Sequence, residues 1–448
     1  MGALVRTLQP EQGDALLYAA SAMFALGTLE LSKTPLYQQW AAFALGPYLF
    51  AAIGSAAVGW HRTHRSHGVV HAQRHWSHPR VALFLVVLIG ATLAPLSCEI
   101  AWRSDGSAQA HAQPEVLVIE QAAQRAMRGL PPYHATVSHG RPQSLIKGEP
   151  AYESFYPYLP LMTAFGIPSS LHAPVRLTDA RVAFSGVTLL VVLIALALLA
   201  APGERKVRAL MVLTALPTAA LLLATGGDDM PVVAFLLLAM VLAQRRKPGL
   251  AGIFLGVASA MKFTAWPLAV LALLCARDRS GRRVPGRMGL GILAVVGPVV
   301  TPFLVHNPHV FFVNVILFPL GLSGVPSPAA SPLPGHLLVT AVPALHHVLP
   351  VLASVLGGGI LLRRLVTRPV RTAADATGLC GWVMLVAILV APATRIGYLV
   401  YPINFFVWAF MLRGAEATEP PEMAPVPIDV SELEPAELVL AGGGPRRA

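Results

Sequence analysis

Charge is what this chain has least of. Asp, Glu, Lys and Arg together make up only 12% of its 448 residues. A soluble protein of this length carries about twice that share, about 25%. Cysteine is nearly absent, and Cys98, Cys275 and Cys380 stand alone with no CxxC spacing. That excludes a disulfide framework and a zinc knuckle and leaves buried thiols. There is no P-loop, GxSxG or HExxH, and no GxGxxG in a strand-to-helix setting, so nucleotide-driven chemistry is not expected. No DxD within a soluble α/β domain is visible, which argues against a cytosolic nucleotide-sugar transferase.

What is there is hydrocarbon. The chain is 55% hydrophobic, in runs of about 20 residues, the length that crosses a bilayer at about 1.5 Å per residue. Alternating apolar and polar segments are missing, so a barrel is not expected. The sequence predicts an all-α, polytopic integral membrane protein. Spans fall near 14–31, 38–60, 81–102, 181–201, 208–225, 229–244, 287–305, 336–362, 373–391 and 396–412. Shorter runs at 249–261 and 264–276 flank Lys262, and Pro-broken stretches occupy 156–172 and 308–324. The first apolar run lacks a small-residue cleavage site, so no cleavable signal is expected.

Basic clusters lie at Arg62/Arg65/Arg74/Arg80, Arg205/Lys206/Arg208, Arg245/Arg246/Lys247, Arg277–Arg287 and Arg363–Arg371. If all are cytoplasmic, both termini are cytoplasmic and the count is about twelve spans. The loop 103–180, the Gly226–Asp229 turn, Lys262, 306–335 and 392–395 then share the opposite, extracytoplasmic side. Residues 1–413 form the transmembrane domain on this reading. Residues 414–448, with seven acids against Arg446 and Arg447, read as a disordered cytoplasmic tail. The basic excess, 31 Lys and Arg against 15 Asp and Glu up to Arg413, suits anionic headgroups of membrane lipids. No nucleic-acid partner is expected, since no basic face with reading elements is visible.

Several polar residues in this apolar setting point to chemistry. From Glu115, the residues Val116, Ile119, Ala123 and Ala126 recur at helical spacing, so 115–129 reads as an amphipathic interfacial helix. Pro114 suits its start, and a carboxylate in its first turn stays ionised, as a general base should. Glu115 reads as a helix cap or as a catalytic base. Tyr133, Tyr156 and Tyr158 are belt aromatics or the edge of a groove for a lipid chain or sugar. Asp228 and Asp229 are a solvated turn, or they bind an acceptor hydroxyl, a cation or Lys262. Lys262 either snorkels to the interface or meets a lipid-phosphate group. Arg181 and Arg395 begin spans on the outer side, against the positive-inside trend, which phosphate binding or headgroup contact explains. His61, His64, His67, His71, His75 and His78 match no closed zinc spacing and read as a basic lipid-facing loop. No metal ligand set and no cofactor is expected.

These residues resemble glycosyltransferase family 87. The resemblance rests on Glu115, Val118-Ile119, Ala122-Ala123, Gly129 and Pro132-Tyr133, then on the FYPYLP edge at 155–160. It continues with Leu250-Ala251-Gly252, Leu255-Gly256, Ala258, Ala260, Lys262 and Pro267, so that it spans 115–410. The chain departs from the family pattern with Glu at the base position where Asp is usual, Ile119 for Tyr, and GGDD where Gly-Gln is common. The resemblance implies a GT-C fold and a cell-membrane enzyme with an extracytoplasmic site. Its donor would be a polyprenyl-phosphate sugar of the mannose or arabinose class, and its acceptor a glycan or glycolipid. It also implies inverting transfer with Glu115 as base. A lipid or solute transporter with an outward-facing polar cavity is the alternative.

Overall fold

The computed structural model describes residues 10–65, 78–106, 111–138, 141–142, 150–171, 173–325 and 329–416. The expected tail beyond Glu416, and His67, His71 and His75 of the histidine-rich loop, lie outside the described residues. The chain opens with α1 (Pro10–Leu31), α2 (Pro35–Arg65) and α3 (His78–Val87). A π-helical turn, Leu88–Leu93, runs α3 on into α4 (Ala94–Asp105). Next come α5 (Pro114–Met127), a hairpin pairing Val137–Ser138 with Arg141–Pro142, and 3₁₀ turns at Ala151–Ser154 and Pro160–Ser170. Then follow α6 (Val175–Thr178), α7 (Ala180–Leu198), α8 (Gly203–Thr214), α9 (Pro217–Thr225), α10 (Asp229–Gln244), α11 (Pro248–Met261), α12 (Trp266–Cys275) and α13 (Pro285–His306). The last helices are α14 (Pro308–Phe312), α15 (Pro334–Ala341), α16 (Leu345–Thr367), α17 (Ala373–Val390) and α18 (Val400–Glu416). Apart from the two-residue strands, the all-α expectation holds.

Among the described residues, nine helices are long and apolar enough to cross a membrane. The three remaining expected spans are the shorter apolar helices Asp229–Gln244, Pro248–Met261 and Phe263–Cys275. Proline starts many of these elements, as at Pro114, Pro217, Pro248, Pro285 and Pro334. Its missing N–H and fixed φ suit the first helical turn. Proline also breaks them. The expected span 336–362 is divided into α15 and α16 around Pro343. Residues 160–170 form an 11-residue 3₁₀ segment, which at about 2.0 Å per residue falls short of the ~30 Å hydrocarbon core.

Two cores hold the helices together. The larger surrounds α10, which is buried along most of its length from Asp229 to Leu242. The smaller joins α1 and α2 to α3, α4, α8 and α9, with Trp40 and Tyr48 fully buried in it. Trp40 donates to the Ala91 carbonyl, and Tyr48 to that of Ala215. The predicted interfacial helix α5 rests its apolar face on protein. Val116, Ile119 and Ala123 are buried as expected, Ala126 is exposed, and Glu120 is unexpectedly buried. Gly166 of the 3₁₀ segment abuts the Ile119 carbonyl, where any side chain would clash.

The helix ends sort by charge. At one end Arg62 pairs with Glu11, Arg80 with Asp14 and Arg208 with Glu204. Arg245 reaches the Leu198 carbonyl, and Gln244 that of Leu412. This end gathers the starts of α1, α3 and α8 and the ends of α2, α7, α10 and α18. The other end holds every candidate site residue.

Candidate functional site

Three breaks in the helices build the site. The first is the turn between α9 and α10. Gly226 has φ 153°, and a Cβ there would stand 2.9 Å from the Gln113 Cβ. Only glycine lets this turn nest against the chain that enters α5. Gln113 completes the joint: its N–H bonds the Thr225 carbonyl at 2.9 Å, and its amide bonds Thr225 Oγ1 at 2.8 Å and Tyr37 Oη at 3.0 Å. Glu115, two residues on, is thereby fixed beside Asp228 and Asp229.

The second break ends α11. Lys262 is extended, with φ −149° and ψ 140°, so its side chain leaves the helix axis. The freed Met261 carbonyl accepts from the Leu159 N–H at 3.0 Å. Lys262 Nζ lies 2.7 Å from Asp228 Oδ2 and 2.6 Å from Asp229 Oδ1. Its charge also faces the rings of Tyr158 and Tyr398, at 5.3 and 5.7 Å, a geometry that favours a cation. Tyr401 donates to Asp229 at 2.6 Å and accepts from Thr264 at 2.6 Å.

The third break is the loop between α17 and α18. Arg395 pairs there with Glu115 Oε1. The loop is tied down by Thr394 N–H to the Ala329 carbonyl, Ser331 N–H to the Thr394 carbonyl, and Ile396 N–H to Ser331 Oγ. The second carboxylate oxygen of Glu115 is buried and has no hydrogen-bond partner. Three carboxylates thus face two cations, and all five side chains are 20% exposed or less. Burial pushes the Asp228 carboxyl up from 3.8 to about 7 against the pull of Lys262, and the charges of Asp229 and Glu115 push the same way. Beneath the cluster the helix α10 is apolar and packed from Met230 to Leu242.

The structure therefore brings together Glu115, Asp228, Asp229, Lys262, Arg395 and Tyr158. Tyr133 and Tyr156 stand behind Tyr158 as buried aromatics rather than at an open edge. Tyr133 donates to the Tyr158 carbonyl at 2.9 Å, and Tyr156 bonds Thr163 at 2.8 Å. Tyr133 also packs edge-on to Phe303 of α13. Along α13, Gly297, Pro298, Thr301, Pro302, Val305 and His306 line a concave face of about 720 Å³.

Arg181 is placed apart from the cluster. Its side chain is 0% exposed and is spent on Asp179 and on the carbonyls of His111 and Ala224. Asp179 also receives Arg103 at 2.6 Å, and Arg103 forks onto Glu120 at 2.6 and 3.0 Å. This tetrad pins the start of α5 to α4, α7 and α9. Sequence reasoning missed Arg103, Glu120 and Asp179, although an arginine at a span end and an acid at a span start were signals. It also missed Tyr37, Gln113, Tyr398 and Tyr401, which carry no signal apart from the fold. Among the described residues no three His, Cys, Asp or Glu side chains are grouped as metal ligands.

No curated protein and no solved structure matches the chain. The family model for glycosyltransferase family 87 matches residues 156–392. That stretch contains Tyr156, Tyr158, Asp228, Asp229 and Lys262. Glu115 precedes it and Arg395 follows it, so these two join the matched residues through the geometry alone. The match covers more than half of an apolar helical chain, which makes this protein a membrane glycosyltransferase and a member of glycosyltransferase family 87.

Proposed function

We propose that the chain transfers a sugar, of the mannose or arabinose class, from a polyprenyl-phosphate donor to a glycan or glycolipid on the extracytoplasmic side of the cell membrane. The reading rests on one observation above all: a half-free buried carboxylate, Glu115, sits among two cations and two further acids at a single end of the helical body. The acceptor hydroxyl attacks the anomeric carbon with inversion while Glu115 takes its proton. The bond from that carbon to the phosphate oxygen breaks, and the phosphate keeps the electron pair. Lys262 and Arg395 stabilise that charge. Asp228 and Asp229 aim Lys262 and receive acceptor hydroxyls, and Tyr158 walls the sugar. The concave face of α13 suits the polyprenyl chain. Arg181 serves from behind by holding the chain that carries Glu115.

The packed apolar α10 beneath the cluster favours transfer over transport, because it leaves Lys262 facing one side. The test is reconstitution of the purified protein in liposomes with a panel of radiolabelled polyprenyl-phosphate sugars and a glycolipid acceptor. One labelled donor is expected to give product with inverted anomeric configuration. Retained configuration, or label crossing the bilayer without transfer, overturns the reading.

A further inference from the structure

The loop that carries Arg395 runs into a 3₁₀ turn, Ile396–Leu399, and then into α18. In a 3₁₀ turn the side chains at i and i+3 eclipse, and the same spacing shares a face in the α-helix that follows. Arg395, Tyr398 and Tyr401 therefore form one file. Tyr398 closes the turn by giving its N–H to the Arg395 carbonyl at 3.0 Å. The ends of the file are committed: Arg395 Nη1 goes to Glu115, and Tyr401 donates to Asp229 and accepts from Thr264. The middle is not. Among the described residues the Tyr398 hydroxyl has no hydrogen-bond partner, and it is not sealed from solvent. The same holds for Arg395 Nε and Nη2, a two-donor edge of the kind that meets phosphate.

Tyr158 has an open, unpartnered hydroxyl as well, but the two tyrosines face different charges. Those acting on Tyr158 belong to three acids, Asp228, Glu115 and Asp229. An oxygen among carboxylates suits a neutral hydroxyl and not an anion. On Tyr398 the charge of Lys262 acts most strongly and that of Arg395 next, ahead of Asp229 and Glu115. Lys262 Nζ stands 5.7 Å from the centre of the Tyr398 ring. An anion drawn to these two cations arrives beside an unspent O–H.

We infer that Tyr398 is a phosphate ligand: its hydroxyl donates a hydrogen bond to the phosphate of the lipid-linked sugar, between Lys262 and Arg395. The inference rests on the transferase reading and adds a residue beyond the family match at 156–392. The tyrosine keeps its proton. When the bond from the anomeric carbon to the phosphate oxygen breaks, the electron pair stays on that oxygen, and the hydrogen bond strengthens with the growing charge. The full chain in lipid nanodiscs is titrated calorimetrically with farnesyl phosphate and, separately, with farnesol, the same isoprenoid without the charge. The parent is expected to bind the phosphate more tightly. Tyr398→Phe keeps the ring beside Lys262 and removes only the hydroxyl. Its affinity for farnesyl phosphate should fall about tenfold or more, while farnesol binding and melting temperature hold and show that the variant is folded. Tyr158→Phe, which removes the other open hydroxyl, should leave the phosphate affinity in place. Equal affinity of the parent for both lipids, undiminished phosphate affinity in Tyr398→Phe, or an equal loss in Tyr158→Phe overturns the inference. The titration needs no turnover, so a protein that shows the expected binding and transfers nothing would count against the reaction alone.

Discussion

Two buried charge clusters lie side by side at one end of this protein, and they are built on opposite terms. In the tetrad of Arg103, Glu120, Asp179 and Arg181, two cations meet two anions. Each carboxylate oxygen is occupied, Glu120 even taking the Ala180 N–H at 3.0 Å. In the group around Glu115 three acids, one of them the proton-retaining Asp228, meet two cations, tyrosine rings form the wall, and one carboxylate oxygen has nothing to bond. A balanced, saturated network has little left to offer a ligand. An unbalanced one retains unspent interactions, which are available to a substrate. On the proposed reading, what marks the Glu115 group is an orphan oxygen set among several further charges, since Glu11 also keeps an orphan oxygen but in a lone pair with Arg62.

Breaking each cluster in turn should separate those roles. The largest effect is expected from Glu115→Gln, which keeps shape and removes the base. Transfer should fall by about 10²–10⁴-fold, while the melting temperature drops only by the weakened pairing with Arg395. Normal turnover would remove Glu115 from the mechanism. Next is Arg181→Leu, which leaves the buried Asp179 with Arg103 alone and the His111 and Ala224 carbonyls without their donor. It should lower stability by about 3–5 kcal/mol, read by thermal or denaturant melts. A variant that melts like the parent but needs far more donor would return Arg181 to the phosphate-binding set.

A subtler effect concerns acidity. The folded Asp228 binds its proton up to about pH 7 against an ordinary value of 3.8. Between those values the folded state holds more protons than the unfolded one, so this group's contribution falls as pH rises through that window and is lowest above it. Melting temperature against pH should show that decline, and Asp228→Asn should flatten it. A profile identical in the variant would mean that Asp228 is ionised throughout. The smallest effect is expected from Tyr401→Phe, which removes one donor to Asp229 and leaves Lys262 in place. Transfer should drop less than about tenfold; a larger loss would put Tyr401 in contact with substrate.

The membrane-spanning class, most helix positions and the gathering of Glu115, Asp228, Asp229 and Lys262 at one end were legible in the sequence. Apolar run length and the placement of basic residues report directly on the bilayer. What was not legible depends on partners far apart in the chain. Arg181 and Arg395 look alike in sequence, each at the start of an outer-end span. Their fates diverge because Asp179 stands next to the first, whereas the second reaches across to Glu115. Likewise the amphipathic pattern of α5 describes a helix with one apolar face, and lipid or protein satisfies that face equally well. Only the glycine at 166 betrays the protein neighbour, and only once the 3₁₀ segment is known to cross there.

The glycines of α11 and α13 carry a last implication. Gly252 stands against the Met288 carbonyl, Gly256 against that of Ile292, and Gly291 against that of Gly249, with no space for a Cβ at any of them. Backbone thus rides on backbone between the helix that ends in Lys262 and the helix that offers the concave face. Gly252 is ten residues from Lys262, about 15 Å along the axis. A methyl group inserted there would act as a wedge under a lever, and the misalignment would be felt at the far tip. Loss of turnover in such a variant would report on the seating of the two helices and not on the reacting groups.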